Sequence, residues 1–552
     1  MKRIAIIGGG IAGLTAAYEL TRLAREGAEV EAVLFESSNR FGGVLETVRE
    51  GGFTIECGPD AWISAKPWAR ELAIELGLEP ELIPSNDDDR KTHIFLTTQE
   101  NPSGRLIPMP NGFHMMVPTN LDALEGSPLF SSEAIAAYRA EPTRAAELLA
   151  SIPDHDESVA DFTLRHFGPE VLTRIAAPLL SGVFGGDVRK LSVRAVLPAF
   201  VKMEREHGSL ITALQSKPPQ PDTSIFTTLR SGIGTLVDRL VAAIPPEVLR
   251  LHTTVTAIHE STETSAPPWI VQTTAGKRLA SESFDAIFLA TPLESTRRIL
   301  APLDATAAEL LPTESSSAVL VAFAYADASR VPLPPGFGFL VPPNLPEMRS
   351  SQPGPDQSRQ TVESRHSHQK VESRHSEHRS ESPYFAFDPS STLSPVATLL
   401  LACTFADQKF AYRVPPNGRL IRAFFGGAAA DRIARCNNDE IAAIARLELT
   451  RILNANLPIS GAAPTPPPPA VLTVVRRWPN SLPQYAVGHP ARITELESRL
   501  RAYPSLTILG NALHGVGIPD LIHDARQAAR RVGAEKSATS APTTTRLHAS
   551  EP

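Results

Sequence analysis

The chain has 552 residues, enough for about three to four domains at roughly 100–200 residues each. Hydrophobic residues make up 42% and charged residues 20%, which allows large cores and excludes disorder throughout, while a net charge of −7 argues against non-specific nucleic-acid binding. The 50 prolines are about twice the usual share and must sit in loops, edges and linkers, because proline breaks helix interiors and central strands.

In chain order, Arg3–Ile7 (RIAII) reads as an apolar strand, followed by glycines, a helical pattern over Ala12–Leu23 and a strand at Val30–Phe35. Together they predict a parallel strand–turn–helix–strand unit. Lys66–Leu76 and Ser132–Leu149 read as amphipathic helices, and Ser158–Leu214 as mostly helical with interruptions at Pro178, Gly182 and Gly185–Gly186. Leu251–Ile258, Ile270–Thr274 and Phe284–Ala290 read as strands. So do the longest apolar runs, Ala318–Ala326 and Val396–Cys403, both far short of the ~18 residues that cross a bilayer. Leu506–Leu509 reads as a strand leading through a Gly-rich turn into a helix at Leu521–Val532.

Three segments stand outside this pattern. Ser350–Ser382 contains the near-duplicate VESRHSHQK and VESRHSEHR without any aromatic, Leu, Ile or Met, which predicts a disordered surface insertion. Its histidines match no zinc-ligand spacing, so no metal is expected. Ala462–Pro469 is a polyproline-type connector, and residues 535–552 are a disordered tail. Cys57, Cys403 and Cys436 give no disulfide framework and no redox pair, and MKRIAIIGGG carries no export signal, so a cytoplasmic protein is expected.

Gly8-Gly9-Gly10-Ile11-Ala12-Gly13 is a G-x-G-x-x-G motif between a strand and a helix. Gly8 permits the tight turn, Gly10 lets a pyrophosphate approach the backbone, Gly13 allows close helix–sheet packing, and the free amides that start the helix, at Ile11 and Ala12, face the phosphates. Glu36 ends the second strand 23 residues beyond Gly13, where an acid accepts ribose hydroxyls. The other Gly-rich turn, Ser231–Val237, has Val237 in place of the third glycine and follows no clear strand, so it reads as a loop before a helix at Thr235–Ile244. With one dinucleotide motif and no redox cysteines, the cofactor is expected to be reduced by the substrate itself and reoxidised by oxygen or a quinone.

Glu36–Gly43 (ESSNRFGG) resembles the E-x-x-x-R-x-G-G extension of the flavin amine oxidase and phytoene desaturase superfamily. Further stretches resemble the protoporphyrinogen/coproporphyrinogen oxidases of haem biosynthesis within it: GFTIECGP at Gly52–Pro59, LIPMPNGFHMMVPT at Leu106–Thr119, PLLSGVFGGDVRKL at Pro178–Leu191, WPNSLPQY at Trp478–Tyr485 and GNALHGVGIPD at Gly510–Asp520. The resemblance implies FAD, with Arg40 and the amides of Gly42 and Gly43 adding phosphate contacts. It also implies that Gly510, Asn511, Gly517 and Ile518 hold the flavin from the C-terminal turn. Val255 and Trp478 complete the cofactor-binding candidates, Trp478 either beside the flavin or filling core. Asp524-Ala525 departs from the glycine that relatives often carry in the last helix.

The implied fold is α/β, with a discontinuous Rossmann-like FAD-binding domain (1–90, 222–298 and 472–534), a mixed-sheet substrate domain (91–109 and 299–471) and a helical insertion (110–221). The implied reaction is six-electron oxidation of coproporphyrinogen III or protoporphyrinogen IX to the porphyrin, with oxygen as acceptor and hydrogen peroxide as product. It needs an apolar cavity and cations for carboxylate arms, and no dedicated catalytic side chain. Lys66 and Arg189 are candidates for the carboxylates, or solvated surface cations. Met109 and Met115 suit an adaptable cavity or ordinary core, and Gly182 a close backbone approach to a flat ligand or a helix break. Handover of product to a haem-pathway chelatase or other haem enzyme, peripheral membrane contact and oligomeric state stay open. The alternatives are an amine oxidase or carotenoid desaturase of the same fold, or a non-catalytic flavin-binding partner in a haem-enzyme complex.

Overall fold

Lys2–Ile7 forms the central strand of a five-stranded parallel sheet, in the computed structural model, which describes residues 1–98, 101–217, 224–263, 267–343, 398–455 and 466–534. Val30–Phe35 and then Leu249–Arg250 lie on one side of it, and Ala286–Leu289 and then Leu506–Ile508 on the other. The run is apolar throughout because both faces are covered. Ile4 and Ile6 pack with the helices Ile11–Arg25 and Ile518–Ala534, while Ala5 and Ile7 meet Trp269, Phe284 and Leu293 on the opposite face. Strand order switches sides here, with Val30–Phe35 on one side and Ala286–Leu289 on the other, and such a switch point opens a crevice at the C-terminal end of the strand, beside Gly8.

A second, seven-stranded sheet runs in the order Leu472–Pro483, Ser315–Tyr325, Arg419–Gly426, Ala402–Phe405, Gly338–Leu340, Thr92–Leu96, Arg105–Pro108. It is mixed: Gly338–Leu340 and Thr92–Leu96 are parallel and the other neighbours antiparallel. Alternation along Ser315–Tyr325 sorts its two faces. Val319, Val321, Phe323 and Tyr325 pack against Ile441, Ala445 and Leu449 of the helix Asn438–Asn454, while Leu320, Ala322 and Ala324 face Phe53, Ile55 and Cys57.

Several sequence-based boundaries move. Leu472–Pro483 is an edge strand of the seven-stranded sheet, paired from Ala324↔Leu472 to Ser315↔Pro483, so this sheet continues beyond residue 471. The strand predicted from Val396 begins at Ala402: Glu448 Oε2 accepts the N–H of Leu399 and the Thr398 hydroxyl that of Leu400, which takes these amides off the ladder. A strand, Phe226–Leu229, does precede the second Gly-rich turn, antiparallel between Trp62–Ile63 and Leu82–Pro84. Ser132–Leu149 is two helices, Ser132–Ala140 and Ala145–Ala150, split by a tight turn at Glu141–Arg144 that contains Pro142.

Short helices fill the chain from Ser132 to Gln215, after a small hairpin of Phe113–His114 and Val117–Pro118. Gly182 does not break its helix: Ala177–Phe184 runs through it and ends at Gly185 in the left-handed conformation (φ 64°). A π-helical segment, Leu172–Ala176, leads into that helix. The duplicated insertion, the 535–552 tail and the first half of the proline connector lie outside the described residues.

Candidate functional site

The first glycine turn has the geometry a dinucleotide needs. Gly8 is left-handed (φ 110°), and a Cβ there would enter the carbonyl of Ala290. A Cβ on Gly13 would enter the carbonyl oxygen of Gly8, so helix and turn touch only because residue 13 is glycine. Gly10 differs: no atom lies within 4 Å of where its Cβ would be, and as N-cap of Ile11–Arg25 it offers no side-chain cap. The first-turn amides, at buried Ile11 and Ala12, therefore face open space at the positive end of the helix. Such a cradle fits a pyrophosphate.

Glu36 sits beside this cradle, its Oε2 accepting the Gly9 N–H at 2.8 Å and its Oε1 the Ser38 N–H at 2.7 Å. Oε1 also takes the Ser37 hydroxyl at 3.4 Å, so Oε2 is the oxygen with a lone pair left for a ligand hydroxyl. Gly42 donates to the Gly9 carbonyl at 2.8 Å, and Gly10 and Gly42 form an isolated parallel bridge, which holds the 40–43 loop against the motif. Arg40 turns onto that loop: its guanidinium donates to the carbonyls of Phe41 and Gly43, lies 3.5 Å from Glu46 and stacks 5.9 Å from the Trp478 ring centroid. Val255 is buried on the strand Thr254–Glu260, whose entry is tied by the Thr253 N–H to the Glu36 carbonyl.

The second glycine turn is filled by the protein's own carboxylate. Glu56 Oε1 accepts the Ile233 N–H at 2.8 Å, where the helix Gly234–Ala243 begins, and its Oε2 accepts the Thr47 hydroxyl at 2.6 Å. Thr47 in turn accepts the Gly234 N–H, and Arg413 lies 3.5 Å from Glu56. That helix N-terminus is occupied from within.

At the other end of the chain, Leu509 donates to the Leu289 carbonyl and Gly510 turns left-handed (φ 115°). Asn511 Nδ2 donates to the Ser481 carbonyl at 2.9 Å, while its own carbonyl accepts the Tyr485 hydroxyl at 2.7 Å. This turn, the dinucleotide motif and the seven-stranded sheet enclose a cavity of about 590 Å³. Ile11, Asn511, Gly517 and Ile518 wall it on the dinucleotide side, and Leu320, Phe339, Phe424 and the edge-strand Trp478 on the sheet side. Trp478 is fixed by donating from Nε1 to the Cys57 carbonyl at 2.7 Å. Leu179, Gly182 and Val183 of the π-linked helix close another wall.

The lining is mostly apolar, with four acidic or basic side chains in pairs: Lys66 with Asp520 (2.7 Å) and Lys409 with Asp60 (2.9 Å). Asp60 also takes Arg422 at 2.9 Å. Burial acts to raise the Asp60 carboxyl, and Lys409 and Arg422 overcome it and hold it at about 2. Burial pushes the Cys57 thiol in the same wall up to about 11, which keeps it neutral.

Of the substrate candidates, Lys66 and Gly182 line the cavity; Arg189, Met109 and Met115 do not. Arg189 forms an exposed fork onto its near neighbour Asp187. Met115 takes a left-handed backbone (φ 53°) between the hairpin strands, and Met109 is tied by its N–H to the Thr92 carbonyl. Sequence reasoning missed Asp60, Lys409 and Arg422. Asp60 directly follows the Gly52–Pro59 stretch already singled out, but nothing local points to the other two. Among the described residues no cluster of His, Cys, Asp and Glu could hold a metal, and no helix is long and apolar enough to cross a membrane.

Comparison with known proteins agrees with this geometry. The flavin containing amine oxidoreductase family matches residues 11–333 and 370–533. A Bacillus subtilis protein named coproporphyrinogen III oxidase is 29% identical, covering 96% of this chain and 97% of its own length. A Staphylococcus aureus protein of the same name is 25% identical, covering 97% and 99%. A solved Exiguobacterium sp. 255-15 structure, named with a provisional assignment as protoporphyrinogen oxidase, is 26% identical with a TM-score of 0.71 and covers 96% of this chain and 98% of its own. With its open glycine cradle and these matches over nearly its whole length, the chain belongs to the flavin containing amine oxidoreductase family and is an FAD-dependent oxidoreductase.

Proposed function

We propose that the protein oxidises a porphyrinogen in haem biosynthesis, coproporphyrinogen III in preference to protoporphyrinogen IX. The observation that carries this reading is the cavity: about 590 Å³, walled mostly by apolar side chains, touching the dinucleotide face on one side, and carrying two lysines for carboxylate arms. The name shared by the B. subtilis and S. aureus relatives supports coproporphyrinogen III.

FAD, when bound, supplies the two-electron acceptor for hydride removed from the tetrapyrrole. The chain's residues bind, orient and exclude water. Gly8, Gly10, Ile11, Ala12, Gly13, Glu36, Gly42 and Gly43 would hold the nucleotide half, with Arg40 fastening the loop and Val255 packed beneath it. Trp478, Gly510, Asn511, Gly517 and Ile518 would wall the flavin, Gly182 would lie against the flat substrate, and Lys66 would take a carboxylate. In this reading the parallel-sheet lobe is the FAD-binding domain, the seven-stranded sheet the substrate domain, and residues 110–221 a helical insertion that supplies one cavity wall through Leu179, Gly182 and Val183. Three two-electron steps convert one porphyrinogen to porphyrin and reduce three O2 to three H2O2. A cytoplasmic location and product handover to a haem-pathway chelatase belong to the same reading. A peripheral membrane contact is supported by Ile63 and Val183, both apolar cavity-lining residues about half exposed.

Purified protein should be yellow and turn colourless coproporphyrinogen III into fluorescent coproporphyrin. A protein that cannot be reconstituted with FAD, or one that oxidises a polyamine or carotenoid precursor instead, overturns the proposal.

A further inference from the structure

Asp60 sits partly buried between two cations, Lys409 Nζ at 2.9 Å and Arg422 Nη1 at 2.9 Å. Lys409 is 8% exposed and Arg422 2%. Arg422 also donates to the Gly58 carbonyl, which fixes it behind Asp60, away from the cavity lining. The trio therefore carries a net charge of +1. The other pair on the wall, Lys66 with Asp520, sums to zero. Of the trio's two cations Lys409 is the one that lines the cavity, so its excess positive charge is presented there.

The surroundings of Lys409 favour a bound anion. Its ammonium lies 4.6 Å from the Phe226 ring centroid and 5.1 Å from that of Phe410, so it is held beside apolar faces rather than in bulk water. Among the described residues, Asp60 Oδ1 is its hydrogen-bonded acceptor, leaving capacity in an ammonium that has three donors. A cation in such a site, already desolvated by folding, attracts a carboxylate more strongly than a solvated lysine does.

We propose that Lys409, held by Asp60 with Arg422 behind it, is a second carboxylate subsite, distinct from Lys66, and that it sets the preference for a tetracarboxylate over a dicarboxylate porphyrinogen. The inference rests on the porphyrinogen reading above. Asp60 acts through the cations: it positions Lys409 and sets how much of its charge is left for the ligand.

The test is steady-state kinetics of the FAD-loaded enzyme on coproporphyrinogen III, with four carboxylates, and protoporphyrinogen IX, with two. Wild-type turnover of neither substrate removes the porphyrinogen reading itself. Given turnover, K409M should raise KM for coproporphyrinogen III about tenfold or more and for protoporphyrinogen IX less than about threefold, with kcat little changed, and K409R should recover most of the difference. Equal effects on both substrates, or a loss confined to kcat, overturn the proposal. Should K409M not accumulate with flavin, D60N carries the test, since it keeps both cations and removes their counter-ion. Its KM for coproporphyrinogen III should fall relative to that for protoporphyrinogen IX, whereas a purely structural trio gives an unchanged or higher ratio, which overturns the subsite.

Discussion

The Ile233 amide donates to Glu56 Oε1 at 2.8 Å, so the helix that follows the second glycine turn is capped by a buried carboxylate from a distant strand. In the first turn the Gly9 amide likewise reaches a carboxylate, Glu36, but Gly10 has no side-chain cap and open space above it, whereas its counterpart Gly234 donates to the Thr47 hydroxyl at 2.8 Å. Two similar turns thus differ in what their helix N-termini face: the protein's own Glu56 and Thr47 in one, room for a ligand in the other.

Glu56→Ala leaves Ile233 N–H, the Thr47 hydroxyl and Arg413 without their shared partner. Losing one member of a buried charged network costs about 3–5 kcal/mol. Urea unfolding should show that loss. NADPH, added anaerobically, should leave the flavin of the wild-type protein oxidised, since the second glycine turn is filled by Glu56 and Thr47; rapid bleaching at 450 nm would contradict this assignment.

The motif glycines should separate into two kinds. A Cβ on Gly13 overlaps the Gly8 carbonyl, so G13A should destabilise the apoprotein by about 1–3 kcal/mol. Gly10 has free space, so G10V should leave apoprotein stability within about 0.5 kcal/mol of wild type while weakening FAD at least about tenfold. Thermal melts of apoprotein and titration with FAD distinguish the two.

Cavity position should decide which cations matter. R189Q removes an exposed fork to Asp187 and should change the KM for coproporphyrinogen III by less than about twofold. K66M removes a cavity-lining ammonium and leaves Asp520 unpaired beside it, so its KM should rise about tenfold. Matched steady-state assays test both.

Asp60 sets an acid limb to stability. Its carboxyl is held at about 2 because Lys409 and Arg422 outweigh burial, while an unfolded Asp titrates near ~4. A depressed carboxyl stabilises the fold fully above the unfolded value, and this contribution fades as pH falls toward the folded one. Wild type should exceed D60N by about 2 kcal/mol at pH 7, and the gap should narrow below about pH 4. Urea midpoints measured across that range check the sign; a gap that widens in acid would refute it.

The sequence by itself determined the dinucleotide unit. Its glycines, its strand of RIAII and Glu36 lie within one local stretch, where turn geometry and helix-start amides follow from residue type and spacing alone. The family-like stretches also pointed to the C-terminal turn and Trp478, and all of these line or adjoin the cavity. Other features depended on the tertiary structure, because their partners are hundreds of residues apart. Leu472–Pro483 joins the seven-stranded sheet through pairing with Ser315–Tyr325, although its own pattern does not show which sheet it enters. Arg189 looked as plausible as Lys66 until folding placed one on Asp187 and the other on the cavity wall. Asp60, Lys409 and Arg422 meet across some 350 residues of chain, and charge balance in a buried cavity is a property of that meeting. Spacing along the chain reveals local backbone chemistry; only packing decides which buried charge is left without a full counter-ion.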